Sequence, residues 1–167
     1  SESVQNFIVD SNGNVAYTAN TTANDTTTQV NRIRKSNGGY YNLSHTAYWI
    51  GLNGNIYLAS NSSAEVNKVS IDSDYNVSVS SYDNITPSSA RISNEHYKLK
   101  LSNKLIFVQP GNNSTIVIDN GSALNALDLP LSKIGVARSS SNYAYISGTD
   151  NSSSNTVLVK FNPSDNI

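Results

Sequence analysis

The sequence contains no cysteine and no methionine. Without cysteine there is no disulfide framework, no thiol nucleophile and no cysteine-ligated zinc. Charge is also scarce: Asp, Glu, Lys and Arg make up 14% of the chain, and the formal net charge is −1. Such a balance supplies no electrostatic pull toward nucleic acid or an anionic membrane, so neither is expected as a partner. No apolar run approaches the roughly 20 residues of a membrane-spanning helix, so insertion is not expected. No leader segment is visible ahead of the strand-like run that begins near Ser1, which reads as a processed protein or a part of a longer one.

What is present points to strands. There are 25 asparagines, with abundant Ser and Thr, and these residues compete with the helix backbone for hydrogen bonds and favour turns. Tyr, Val and Ile supply most of the bulk and suit a pleated sheet. No segment sustains the 3.6-residue apolar period of a helix, so the chain is expected to be all-β.

One phrase recurs. DSNGNVAY (Asp10–Tyr17) follows the apolar triplet FIV, and LNGNIYLA (Leu52–Ala59) follows YWI. Each reads as strand, tight Asn-Gly turn, strand, and a type I′ hairpin is the expected turn at Asp10–Asn14. LKLSNKLIFVQP (Leu99–Pro110) and VARSSSNYAYISG (Val136–Gly148) fit the same form. Aligning Asn14, Asn55, Lys104 and Asn142 gives spacings of 41, 49 and 38 residues, a period typical of propellers and solenoids. QVNRI, EVNKV, STIVID and NTVLVKF fall at one place in the four units. The inner strands VAYTA, IYLAS, LIFVQ and YAYIS are apolar at nearly every position, so both of their faces need cover. The units are expected at about 4–43, 44–82, 95–129 and 134–167.

The D-x-x-G-N-V-x-Y hairpin with its following V-x-[RK]-[IV] strand resembles blades of bacterial β-propellers of the NHL and YncE-like kind. That resemblance implies a β-propeller-like fold of about four antiparallel four-stranded blades, most simply an open part of a larger ring. A Greek-key β-sandwich is the alternative, since it also spaces short strands regularly. Self-association, or further blades in a longer chain, would then cover the end blades.

Candidate sites are few. DSNGN at Asp10 and DSDYN at Asp72 look like the start of calcium loops, but the first lacks the later bidentate acid and the second lacks the Gly of the sharp turn. Both read better as turns, and no metal or other cofactor is expected. The two histidines, His45 and His96, precede first strands at similar places and read as surface residues short of a third ligand. No G-x-S-x-G elbow occurs, and no carboxylate pair stands out, so no catalytic residue is assigned. Tyr40, Tyr41 and Trp49 lie close in sequence and are the candidate ligand-binding aromatics, with core packing the competing role for Trp49. N-x-S/T occurs about ten times, as at Asn20, Asn61 and Asn151, which this composition produces by chance.

These features lead to the expectation of a non-enzymatic propeller module that binds or scaffolds another protein or a polysaccharide, on a secreted, periplasmic or cell-surface protein. The alternative is part of a propeller enzyme of lactonase or glycosidase type whose catalytic residues lie elsewhere.

Overall fold

The structure is a computed structural model that describes residues 2–60, 62–87, 89–111 and 115–163. Asn61, one of the N-x-S/T sites, and Ser114, at the head of STIVID, lie outside the described residues. The described chain forms fifteen strands in four antiparallel sheets, as the all-β expectation required. Sheet one holds β1 (Glu2–Val9), β2 (Val15–Ala23), β3 (Thr26–Arg34) and β4 (Tyr40–Leu43). Sheet two holds β5 (Ala47–Ile50), β6 (Ile56–Ala59), β7 (Glu65–Ile71) and β8 (Val77–Asn84). Sheet three holds β9 (Tyr97–Lys100), β10 (Leu105–Val108), β11 (Thr115–Asp119) and β12 (Leu124–Asp128). Sheet four holds β13 (Leu131–Ser139), β14 (Ala144–Asp150) and β15 (Thr156–Phe161). Among the described residues no helix is long and apolar enough to cross a membrane.

The turn at Asp10–Asn14 explains its own sequence. Gly13 N donates to Asp10 O at 3.2 Å, and Asp10 N donates to Asn14 O at 2.9 Å. Within it only Gly13 has positive φ, at 79°. This is a type I turn closed by a left-handed residue in a G1 bulge, not the expected type I′, which needs two successive positive φ values. The two-residue loop between β2 and β3 does meet that requirement, with Asn24 at φ 50° and Asp25 at 61°. The five-residue bulged turn recurs at Lys35–Gly39, Gly51–Asn55 and Asp72–Asn76. Its left-handed position is filled by Gly38, Gly54 and, at φ 63°, Tyr75.

The four sheets pack in series. Ala16 and Ile33 of sheet one meet Tyr48, Ile56, Leu58 and Val69 of sheet two. Trp49, Tyr57 and Val66 on the other side of sheet two meet Leu105, Phe107, Val117 and Leu124 of sheet three. Leu99, Ile106 and Ile116 on the far side of sheet three meet Ala137, Ala144, Ile146 and Phe161 of sheet four. Successive residues of β6 (Ile56, Tyr57, Leu58, Ala59) thus serve two cores alternately, which is why that strand is apolar throughout.

The series is open, as an open part of a ring would be, but among the described residues the packing shows neither ring closure nor the curvature of a ring, and the propeller expectation is corrected. A closed ring requires the last sheet to cover the first. Instead the outer side of sheet one exposes Phe7 (61%) and the outer side of sheet four exposes Leu158 (69%). The main strand contacts between sheets join sequence neighbours, β1 with β5 and β9 with β13. The sheets are also not copies of one repeated blade. The strands of the β2–β3 hairpin have nine residues each, β6 and β10 have four, and sheet four has three strands among the described residues. The Greek-key alternative fails for a different reason. Within every sheet the strands lie in sequence order, with no returning strand.

Candidate functional site

The connection from β8 to β9, residues 85–87 and 89–96 as described, lines two polar recesses. Its backbone is fixed at both ends. Thr86 adds to the edge of β12, donating to Leu124 O at 3.2 Å and accepting from Ala126 N at 2.7 Å. Ile85, Ala90 and Ile92 are buried in the core between sheets two and three. At the far end the Asn94 side chain spans to sheet two, where its Nδ2 donates to Thr46 O at 3.0 Å and its Oδ1 accepts from Tyr48 N at 3.2 Å. Lys98 Nζ donates to Asn94 O at 3.2 Å.

The segment held in this way separates two adjoining clefts. One, of about 310 Å³, lies against sheet three and includes Gln109, Thr115 and Asp128. The other, of about 540 Å³, opens toward sheets one and two and includes Thr18, Asn31 and Glu95. Arg91, His96 and Gln109 line both.

His96 is the group whose chemistry the structure defines most closely. Only 6% of it is exposed, so it is not the surface histidine the sequence suggested. Its Nδ1 accepts from Ser93 N at 3.1 Å and lies 2.9 Å from Ser93 Oγ, which therefore also donates to it. A ring nitrogen that accepts from a backbone N–H carries no proton, so in the neutral ring the hydrogen sits on Nε2. Burial, and secondarily the Lys98 ammonium, push the imidazole down to about 4. Near neutrality His96 is therefore an uncharged Nε2–H donor at the shared wall of the clefts. With so low a basicity it is a poor general base there.

His45 lies elsewhere. Its Nε2 is 2.7 Å from Asn67 Oδ1, and Asn67 Nδ2 donates to Glu65 Oε1 at 2.8 Å. The two histidines thus do not share a site. Asp10 and Asp72 spend their carboxylates inside their own turns. Asp10 Oδ1 accepts from Asn12 N and Asn14 N, and its Oδ2 from Asn14 Nδ2. Asp72 repeats this set with Asp74 and Asn76, and the bonds from Asn76 hold its carboxyl below the usual range. Among the described residues no group of three metal-ligating side chains stands together.

The candidate aromatics do not converge. Tyr41 pairs across from Ile33 on the side of sheet one that faces sheet two. Tyr40 pairs across from Arg34 on the opposite side, with the Arg32 guanidinium 4.6 Å from its ring centre. Trp49 is buried between sheets two and three, stacked on Tyr57 and edge-on to Phe107. Of the cleft residues, Arg91, Asn94 and Gln109 were not among the sequence candidates, and His96 was weighed only as a metal ligand and read as a surface residue. The usable signal was the spacing of 49 residues between the second and third turns, against 41 and 38 elsewhere, which marks the extra chain that forms this connection.

No protein-family model and no curated protein matches the chain. The resemblance to NHL and YncE-like propellers is not one of homology. It rested on a hairpin whose sequence is explained by a bulged turn, and no homology supports it. The non-enzymatic propeller module goes with the propeller fold, since neither homology nor ring closure supports a propeller scaffold.

Proposed function

We propose that the double cleft holds a small polyhydroxylated ligand of the carbohydrate class, and that it acts as the substrate-holding part of a hydrolytic enzyme. The carrying observation is the shared wall, where a buried His96 is locked as a neutral donor among amide and hydroxyl side chains. Hydroxyl groups both donate and accept. Asn, Gln, Thr and a neutral imidazole match them without the desolvation cost of a charged partner. Arg91, Glu95 and Asp128 at the clefts supply the few charged contacts that fix orientation.

The test is titration of the labelled protein with monosaccharides and sugar lactones, followed by amide NMR. The expected result is shifts concentrated in residues 89–96 and at Gln109, with Kd on the order of 1 mM, about −4 kcal/mol. His96→Gln and Gln109→Ala should abolish them while leaving the melting curve cooperative. Uniform or absent shifts across the whole panel would refute the proposal. Turnover of aryl glycosides and lactones by the same samples separates holding a substrate from transforming it.

A further inference from the structure

Three internal interfaces cover six sheet faces, and two faces are left over. The outer face of sheet one carries Val4, Phe7, Val9 and Val15, and Val4, Phe7, Val15 and Tyr17 line a shallow groove there, rimmed by Glu2 and Arg34. Phe7 is 61%, Val4 55% and Val9 49% exposed. The outer face of sheet four carries Val136 and Leu158, opposite one another across Ser147, with exposures of 46% and 69%. Beside them Tyr145 pairs with Arg138 and Lys160. Lys160 Nζ lies 3.8 Å from the Tyr143 ring centre.

We propose that these two faces bind each other, the outer face of sheet one in one molecule seating on the outer face of sheet four in a second copy of this chain. The argument is continuity with the interfaces already in the molecule. At each of the three, the side of one sheet that faces up the series packs on the side of the next that faces down it. The leftover pair is one face of each kind, so joining them extends the same packing between molecules. Exposed apolar residues grouped on a flat sheet face, rather than scattered, mark an interaction surface. The contact is head-to-tail and not two-fold, since each molecule contributes a different face. On the sheet-one face Glu2 is paired with Arg32 at 3.1 Å, which leaves Arg34 as its unbalanced charge, and the sheet-four face carries Arg138 and Lys160, so added salt, by screening these like charges, strengthens the association.

The test uses the whole chain in sedimentation velocity over a concentration series up to about 100 µM, a range that captures contacts weaker than a standard interface. Phe7→Glu and Leu158→Glu each disable one face. Both positions are exposed, so each variant should keep the parent spectrum and melting curve, and Val9→Lys is the second sheet-one variant should Phe7→Glu fail to fold. The expected result is association of the parent, on the order of tenfold weaker in either variant. An equimolar mixture of the two variants should recover a complex, because each retains the face the other has lost. A parent that stays monomeric overturns the proposal. So does a Leu158→Glu variant that associates like the parent, or a mixture that recovers nothing.

Discussion

Trp49 offers the sharpest test of how the core between sheets two and three is held. It is the only tryptophan, 2% exposed, with its ring centre 6.1 Å from that of Tyr57 and 5.0 Å from that of Phe107. Its Nε1 is buried with no hydrogen-bond partner among the described residues. Replacing it with Phe removes roughly two buried carbons, a loss of about 1.6 kcal/mol. The same change removes an orphaned donor whose desolvation costs about 1–3 kcal/mol. The two nearly cancel, so Trp49→Phe should lie within about 1 kcal/mol of the parent. Trp49→Ala removes the ring as well, and with it both aromatic contacts. The expected loss is about 3 kcal/mol, the low end for such a truncation because the orphaned donor goes too. For a chain of this size that lowers Tm by roughly 6–12 °C. Urea unfolding followed by far-ultraviolet circular dichroism measures both variants without relying on the lost fluorophore. If Trp49→Phe costs as much as Trp49→Ala, the donor is not orphaned and the account of this core is wrong.

Other consequences are as direct. Gly54 sits at φ 80°, so Gly54→Ala should cost about 1 kcal/mol by chemical denaturation, and an unchanged midpoint would contradict the left-handed turn. Tyr48 OH donates to Asn6 O at 3.0 Å across the junction of sheets one and two, and Tyr48→Phe should cost about 1 kcal/mol, read the same way. His96 is pushed down from 6.5 to about 4, so the unfolded chain takes up the proton first as pH falls. Its contribution is therefore full above about pH 6.5 and lost progressively toward about pH 4, by up to roughly 3 kcal/mol. His96→Gln should flatten the stability profile across that window, and an unaltered slope would mean the imidazole is not buried neutral.

The sequence by itself determined the local structure. Asn, Gly, Ser and Thr between short Val-, Ile- and Tyr-rich runs fixed the strands and the places where they turn, because left-handed backbone and side-chain-to-backbone bonds are local requirements. The Asp10 turn is complete within five residues, its carboxylate, amides and glycine all contributed by DSNGN. The doubly apolar β6 and β10 likewise announced that the sheets stack. That the series stays open was expected from the unit count, but the packing between the sheets was not legible. Closure depends on the angle between successive sheets, set by side chains such as Trp49 and Phe107 that meet across long separations, and the same strands serve a ring or an open series. The cleft was hidden for a similar reason. His45 and His96 occupy like places in the sequence, yet His96 alone is buried and proton-locked, because Ile85 and Ile92 pin its connection into a core contributed by sheets two and three. Burial and proton placement are properties of what packs around a residue, and only the tertiary structure decided them.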